Sequence, residues 1–113
     1  MQILVADNST AIEKYVQKVL HHSHVKTLCI KDGLVAFNRA LKGQFDIIFF
    51  GQQLSTLSGL ACIAGLKTNA AHLKHFKCPY LVLTTSQVDV AHDKVGSMAD
   101  QIIIKDQNYY EHI

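Results

Sequence analysis

Residues 45–50, Phe45-Asp46-Ile47-Ile48-Phe49-Phe50, form a short run in which every side chain except that of Asp46 is apolar. Successive side chains of a β-strand point to opposite faces of the sheet, so a strand of this composition is apolar on both faces. Strands of this kind belong to parallel sheets that are covered on both sides by helices. The segment therefore predicts a central strand of an α/β protein.

Further strands follow from the same pattern along the chain. Residues 3–6, 80–83 and 102–104 are short apolar runs of the same kind. Residues 25–30 are mixed and flanked by lysines, which predicts a more exposed strand at the edge of the sheet.

Helical patterns lie between these runs. An apolar stripe at helical spacing consists of Ile12, Tyr15, Val16, Val19 and Leu20. Residues 10–13 resemble a capping box that starts this helix. Residues 34–41 predict a second helix, residues from 60 towards 76 a third, and apolar positions between 88 and 98 a fourth. The alternation predicts one domain over residues 1–113 with a doubly wound five-stranded parallel sheet.

Length and composition exclude several classes of protein. The chain has 113 residues, a net charge of +2 and 49% hydrophobic residues, which favours one compact domain over a disordered chain. No apolar run approaches the ~20 residues of a membrane span, and the start of the chain lacks the basic region of a signal peptide. With a single Arg and scattered Lys, nucleic-acid binding by this domain is not expected. The cysteines, Cys29, Cys62 and Cys78, predict buried reduced thiols in a cytoplasmic protein.

The end of the chain is short for this fold. After Lys105 only eight residues remain, about two turns of helix. A shortened or missing fifth helix would leave apolar sheet surface for a partner to cover. We therefore expect a homodimer or another protein partner on the face formed by the fifth strand and its neighbouring helices.

Polar residues stand where the predicted strands end, and they carry a resemblance to a known family. In a doubly wound sheet the site lies at these carboxyl ends, which here supply Asp7, Asn8, Gly51, Thr84 and Lys105. The motifs in order are Ile3-Leu4-Val5-Ala6-Asp7-Asn8-Ser9, Asp32-Gly33, residues 45–50 with Ser58-Gly59-Leu60, residues 79–84, and Ala99-Asp100 before Lys105. About 105 residues of the chain thus resemble the receiver domain of bacterial two-component response regulators, chemotaxis type, and imply its flavodoxin-like fold.

The resemblance implies an activity that this sequence has lost. Receivers accept a phosphoryl group on an aspartate, assisted by Mg²⁺ on acidic residues and by a Thr and a Lys, which Thr84 and Lys105 match. The acceptor position, five residues after Asp46, is Gly51, which has no nucleophile. Asn8 replaces the second acid of the pair begun by Asp7, so Mg²⁺ binding is expected to be weak or absent.

Two further positions depart from the receiver pattern. The switching aromatic is Ile102, and the proline after the Lys is Asp106. We therefore expect a pseudo-receiver: a non-enzymatic signalling module in which Asp7, Thr84 and Lys105 form a structural cluster.

Two other functions remain open at this point. The pocket emptied by Gly51 could sense a small anion beside Thr84 and Lys105. Alternatively, a non-standard side chain such as Ser55, Ser58 or Asp46 could accept a phosphoryl group, although the serines lack an evident base.

Histidine-rich segments are the remaining candidates for chemistry. His21-His22-Ser23-His24 favours a solvated helix end, where the helix macrodipole suits a partly cationic side chain. His72, His75 and Cys78 have a spacing that could bring two ligands together, but Cys78 precedes Pro79 and is expected to leave the helix. No metal site is predicted.

Overall fold

The computed structural model describes residues 1–8, 10–19, 24–73, 76–85 and 98–104. They form a five-stranded parallel sheet in the order β2-β1-β3-β4-β5. The strands are β1 (Gln2–Ala6), β2 (Lys26–Ile30), β3 (Ile47–Gly51), β4 (Tyr80–Thr85) and β5 (Gln101–Ile104). The described helices are α1 (Thr10–Val19), α2 (Gly33–Lys42) and α3 (Gly59–His72). The predicted fold is confirmed, with β3 at the centre and β2 at an edge.

Each face of the sheet carries its own hydrophobic core, as the doubly apolar strands require. On one face, α2 and α3 pack against alternate residues of β1, β3 and β4; the buried set is Leu4, Ala6, Ala36, Ala40, Ile48, Phe50, Cys62, Ile63, Leu66, Leu81 and Leu83. On the other face, Ile12 and Val16 of α1 pack against Ile3, Val5, Phe49 and Val82. No helix in the part of the chain that the structure describes is long and apolar enough to cross a membrane.

The boundaries differ from prediction in the third helix. α3 ends at His72, four residues before Phe76, and the N–H of Leu73 donates to the carbonyl of Asn69 as its last capping bond. Pro79 is buried directly before β4.

Several predicted features lie outside the described residues. These are residues 88–97 of the fourth helix predicted between 88 and 98, Lys105, Asp106 and the short segment that ends the chain. The side chain of Thr10, which would begin the predicted capping box, also lies outside them, although α1 itself begins at Thr10.

The α1 face of the sheet is less exposed than the sequence suggested. Phe49 and Val82 are only 7% and 3% exposed, and Ile103 of β5 is half-buried. Among the described residues of this face, Cys29 of β2 and Tyr80 of β4 are exposed, and Ile47 of β3 is half-buried like Ile103. The middle of this face is therefore covered, and exposed or half-buried side chains lie towards the ends and edges of the sheet.

The prediction of three buried thiols is wrong for Cys29. All three cysteines are free, but Cys29 is exposed and Cys78 half-buried, while Cys62 is buried. β2 is an edge strand, so an apolar segment around Cys29 does not imply burial there. Partial burial and then the nearby Glu13 carboxylate raise the pKa of Cys29 to about 11, so the thiol stays protonated at neutral pH.

Candidate functional site

The carboxyl edge of the sheet brings three of the predicted site residues together. Gly51 ends β3 and lies in register with Thr84 of β4. Asp7 directly follows β1, the other neighbour of β3. Parallel pairing therefore places side chains from three separate parts of the chain at one point.

Asp7 and Thr84 form a buried hydrogen bond at this edge. The hydroxyl of Thr84 donates to Asp7 Oδ2 at 2.8 Å and lies 3.4 Å from the carbonyl oxygen of Phe50. Thr84 is fully buried and Asp7 is 7% exposed. Because a buried carboxylate is costly without hydrogen-bond donors, this bond helps to hold Asp7 in the fold.

Gly51 lies directly against the Asp7 carboxylate. A Cβ atom built on Gly51 would stand 2.8 Å from Asp7 Cγ and 2.9 Å from each carboxylate oxygen. Such distances are shorter than van der Waals contact, so even an alanine at this position would displace Asp7. The carboxylate of Asp7 thus occupies the space into which a side chain at position 51 would begin to extend. The emptied pocket beside Thr84 and Lys105 stays a prediction.

The loop after Gly51 is fixed by hydrogen bonds from Gln52. Its backbone N–H donates to the carbonyl of Thr84 at 3.0 Å, and its side-chain oxygen accepts from the N–H of Leu60 at 3.0 Å. A Cβ on Gly59 would lie 2.4 Å from the carbonyl oxygen of Gly51, so only glycine allows α3 to start so close to the strand end. The side chain of Gln52 thus caps the N-terminus of α3.

The other positions carried over from the resemblance are less closely grouped. Asn8 is exposed. Ile102 is half-buried and packs against the core beneath α2 and α3, in register with Leu83. Lys105 lies outside the described residues, so its place in the cluster stays a prediction.

The matched positions do not fit a magnesium site. Mg²⁺ takes oxygen ligands in near-octahedral geometry and is normally held by one or two carboxylates with phosphates and waters. Asp7 is the one carboxylate at these positions; its Oδ2 already accepts from Thr84, and both oxygens lie against Gly51. Asn8 brings no negative charge.

A second polar cluster, which sequence reasoning missed, joins the start of α2 to the loop after β3. Asp32 caps α2 by accepting from the N–H of Val35 at 3.0 Å, and the hydroxyl of Thr56 donates to Asp32 Oδ1 at 2.9 Å. Thr56 has a φ of 66°, a left-handed backbone that β-branched residues rarely adopt. Its hydroxyl also accepts from the N–H of Leu34. The hydrogen bonds from Val35 and then Thr56 lower the pKa of the Asp32 carboxyl. No local sequence signal links residues so far apart.

The alternative phosphoryl acceptors have structural roles. Ser58 caps α3 by accepting from the N–H of Ala61 at 3.2 Å. The hydroxyl of Ser55 lies 3.4 Å from both Asp32 Oδ2 and the carbonyl of Lys31. Asp46 lies at the opposite edge of the sheet, where its Oδ2 accepts from the N–H of Gln2 at 2.7 Å.

The histidine candidates do not assemble with other ligands where they are described. His72 is exposed at the end of α3, Cys78 is half-buried, and His21, His22 and His75 lie outside the described residues. Among residues 1–8, 10–19, 24–73, 76–85 and 98–104, no three His, Cys, Asp or Glu side chains form a group able to hold a metal ion.

Comparison with known proteins gives structural but not sequence relatives. No family model and no curated protein matches the sequence. The fold is similar to that of the response regulator TrrA from Thermotoga maritima in complex with Mg²⁺-BeF, at a TM-score of 0.76 and 19% identity over 98% of this chain and 91% of that one. The fold is also similar to that of the phosphorylated cyanobacterial phytochrome response regulator RcpA, at a TM-score of 0.74 and 16% identity over 97% of this chain and 84% of that one. The chemotaxis protein CheY4 from Vibrio cholerae is similar at a TM-score of 0.69 and 19% identity, over 96% of this chain and 88% of that one. The chain therefore has the flavodoxin-like fold of response regulator receiver domains.

Proposed function

We propose that this chain is a non-enzymatic signalling module that has the receiver fold and works without phosphorylation of an aspartate. The observation that carries the proposal is the contact between Gly51 and the Asp7 carboxylate. At this contact the acceptor position carries no side chain, and the Asp7 carboxylate lies in the space next to it.

The chemistry of phosphoryl transfer supports this proposal. The reaction needs a nucleophile in line with the phosphorus and positive charge around the transferred group. At the carboxyl edge the described side chains offer a buried carboxylate, Asp7, bonded to a neutral hydroxyl, Thr84. Position 51 itself supplies no nucleophile, and an incoming phosphoryl group would be repelled by the negative charge of Asp7, a buried carboxylate that already accepts the Thr84 hydroxyl. Weak or absent Mg²⁺ binding is expected from the same arrangement.

The same contact argues against the sensing of a small anion at this edge. An anion beside Thr84 would have to displace or approach the Asp7 carboxylate, which already accepts the threonine hydroxyl. We therefore rank this function below protein interaction.

Protein binding is the role that remains for the module. One of the similar structures is a complex of the histidine kinase ThkA with the response regulator TrrA, at a TM-score of 0.72. We propose that this chain likewise binds a protein, either a second copy or another partner, through the face around β5. Nucleic-acid and membrane binding form no part of the proposal, and the free cysteines fit a cytoplasmic location.

The proposal is tested by incubating the full chain with acetyl phosphate and Mg²⁺ and measuring its intact mass. We expect no gain, while the response regulator RcpA, whose crystal structure is that of the phosphorylated protein, serves as the positive control and should gain mass. A gain on this chain would overturn the proposal. Variants Ser55→Ala, Ser58→Ala and Asp46→Asn would then identify the acceptor.

A further inference from the structure

A groove of about 1090 Å³ lies at the amino-terminal edge of the sheet, opposite the Asp7–Thr84 cluster. It is bounded by the start of β1, the residues before β3 and β4, and the segments that follow α2 and α3. Its volume is slightly above the roughly 300–1000 Å³ of small-molecule pockets, which suits a chain segment better than a metabolite.

The groove gathers exposed apolar side chains. Met1, Leu73 and Tyr80 all line it and are 56%, 50% and 46% exposed. Single exposed apolar residues are ordinary, but several around one concave surface indicate an interaction site. Phe45 and Phe76 are half-buried and add two aromatic rings to the lining of the groove.

The free charge on its rim is positive. Lys42 and Lys77 are exposed, and neither forms an ion pair within the described part of the chain. Among the described lining residues, Asp46 is the one carboxylate, and its Oδ2 accepts the N–H of Gln2 at 2.7 Å. Its single negative charge is outnumbered by the positive charges of Lys42 and Lys77, so the lining keeps a net positive charge that can bind negative charge from a partner.

The backbone N–H and carbonyl of Asp46, which lines the groove, are already hydrogen-bonded to neighbouring strands. The N–H of Asp46 donates to Gln2, and the carbonyl of Asp46 accepts from the N–H of Tyr80 at 3.0 Å. A partner thus gains little by adding a β-strand here and would be recognised through its side chains.

We propose that this groove docks an acidic, apolar segment of a partner protein, with Leu or aromatic side chains in the groove and Asp or Glu facing Lys42 and Lys77. The groove adjoins β5 at Tyr80, whose hydroxyl lies 3.4 Å from Gln101 Oε1, but Ile102, Ile103 and Ile104 do not line it. The proposal does not depend on the loss of phosphorylation. It therefore stands or falls independently of the proposed function.

The test is to select a random library of displayed peptides on the full chain and to measure binding of the enriched peptides by fluorescence anisotropy. We expect enriched sequences to combine acidic with large apolar residues. The double variant Lys42→Glu, Lys77→Glu should weaken binding about tenfold or more. Its matched control, Lys14→Glu, Lys31→Glu, changes the same charge at exposed positions away from the groove and should bind normally.

The position of the bound peptide is checked by NMR chemical shifts. We expect changes at Gly43, Leu73 and Tyr80 and none at Thr84. Failure to enrich any peptide, enrichment of basic ones, equal loss in both double variants, or shifts centred elsewhere would overturn the proposal. So would light scattering that shows a dimer dissolved by the Lys42→Glu, Lys77→Glu change, because the groove would then belong to a second copy.

Discussion

The glycine at position 51 has two consequences, and both arise because it has no side chain. It removes the nucleophile that the receiver pattern places at this point, and it allows the Asp7 carboxylate to lie against the backbone of β3. The described glycines have no positive φ, so backbone conformation does not explain Gly51. Close packing against Asp7 does.

The variant Gly51→Ala tests this packing. The new Cβ would lie 2.8 Å from Asp7 Cγ, and Asp7 is buried and bonded to Thr84, so we expect the free energy of unfolding to fall by about 1–3 kcal/mol. The measurement is urea denaturation of the wild type, both single variants and the pair with Asp7→Ala. The alanine should cost less in the Asp7→Ala background, because the atoms that it meets are gone. Equal costs in the two backgrounds would contradict the contact.

Acid should weaken the protein in part through Asp32. Hydrogen bonds from the N–H of Val35 and then from Thr56 lower the pKa of this carboxyl below its ordinary 3.8. The stability that the charged form contributes is therefore present above about pH 4 and is lost as the pH falls through the lower, folded-state pKa. Asn also caps helices well, so Asp32→Asn should fold normally at neutral pH.

The measurement for Asp32 is the melting temperature as a function of pH. We expect the melting temperature of the wild type to fall more steeply below pH 4 than that of Asp32→Asn. Parallel curves for the two proteins would show that the Asp32 bonds do not contribute.

At the scale of elements, α3 depends on side chains at its first turn. The first N–H groups of a helix have no partner within it. Ser58 satisfies that of Ala61, and Gln52, six residues earlier, satisfies that of Leu60. Gln52, the residue directly after the receiver acceptor position at the end of β3, therefore caps α3 with its side-chain oxygen.

Substitutions at Gln52 test this capping. Gln52→Ala should lower the free energy of unfolding by about 0.5–2 kcal/mol, as loss of a cap does. Gln52→Glu keeps an oxygen acceptor and adds negative charge at the helix N-terminus, so it should be as stable as the wild type or more so. The exposed neighbour Gln53→Ala is the control and should change stability by less than about 0.5 kcal/mol. Urea denaturation decides, and equal losses for Gln52→Ala and Gln52→Glu would exclude the cap.

At the scale of the whole molecule, the sequence predicted what depends on periodicity and strand order. Apolar runs on both strand faces required a covered parallel sheet, and the carboxyl ends of such strands had to meet. The structure places Asp7, Gly51 and Thr84 together at that edge. The filled space beside Gly51 depends on how closely residues 44 positions apart approach, and composition carries no such distance. The Asp32–Thr56 hydrogen bond and the groove at the amino-terminal edge of the sheet were not predicted from the sequence for the same reason, since each joins segments far apart in the chain.

Self-association through β5 is the last prediction and belongs to the whole molecule. β5 ends the described sheet, and its residues Ile102, Ile103 and Ile104 are only half-buried. An edge strand with apolar side chains is a ready surface for another chain. We expect light scattering over a range of concentrations to show a dimer, and Ile104→Lys to shift it towards monomer. Thr27→Lys places the same charge on β2, at the opposite edge, and should leave the dimer intact. Far-UV circular dichroism checks that both variants fold. A wild-type chain that is monomeric at every concentration would contradict self-association, and a different protein would then be the expected partner of this face.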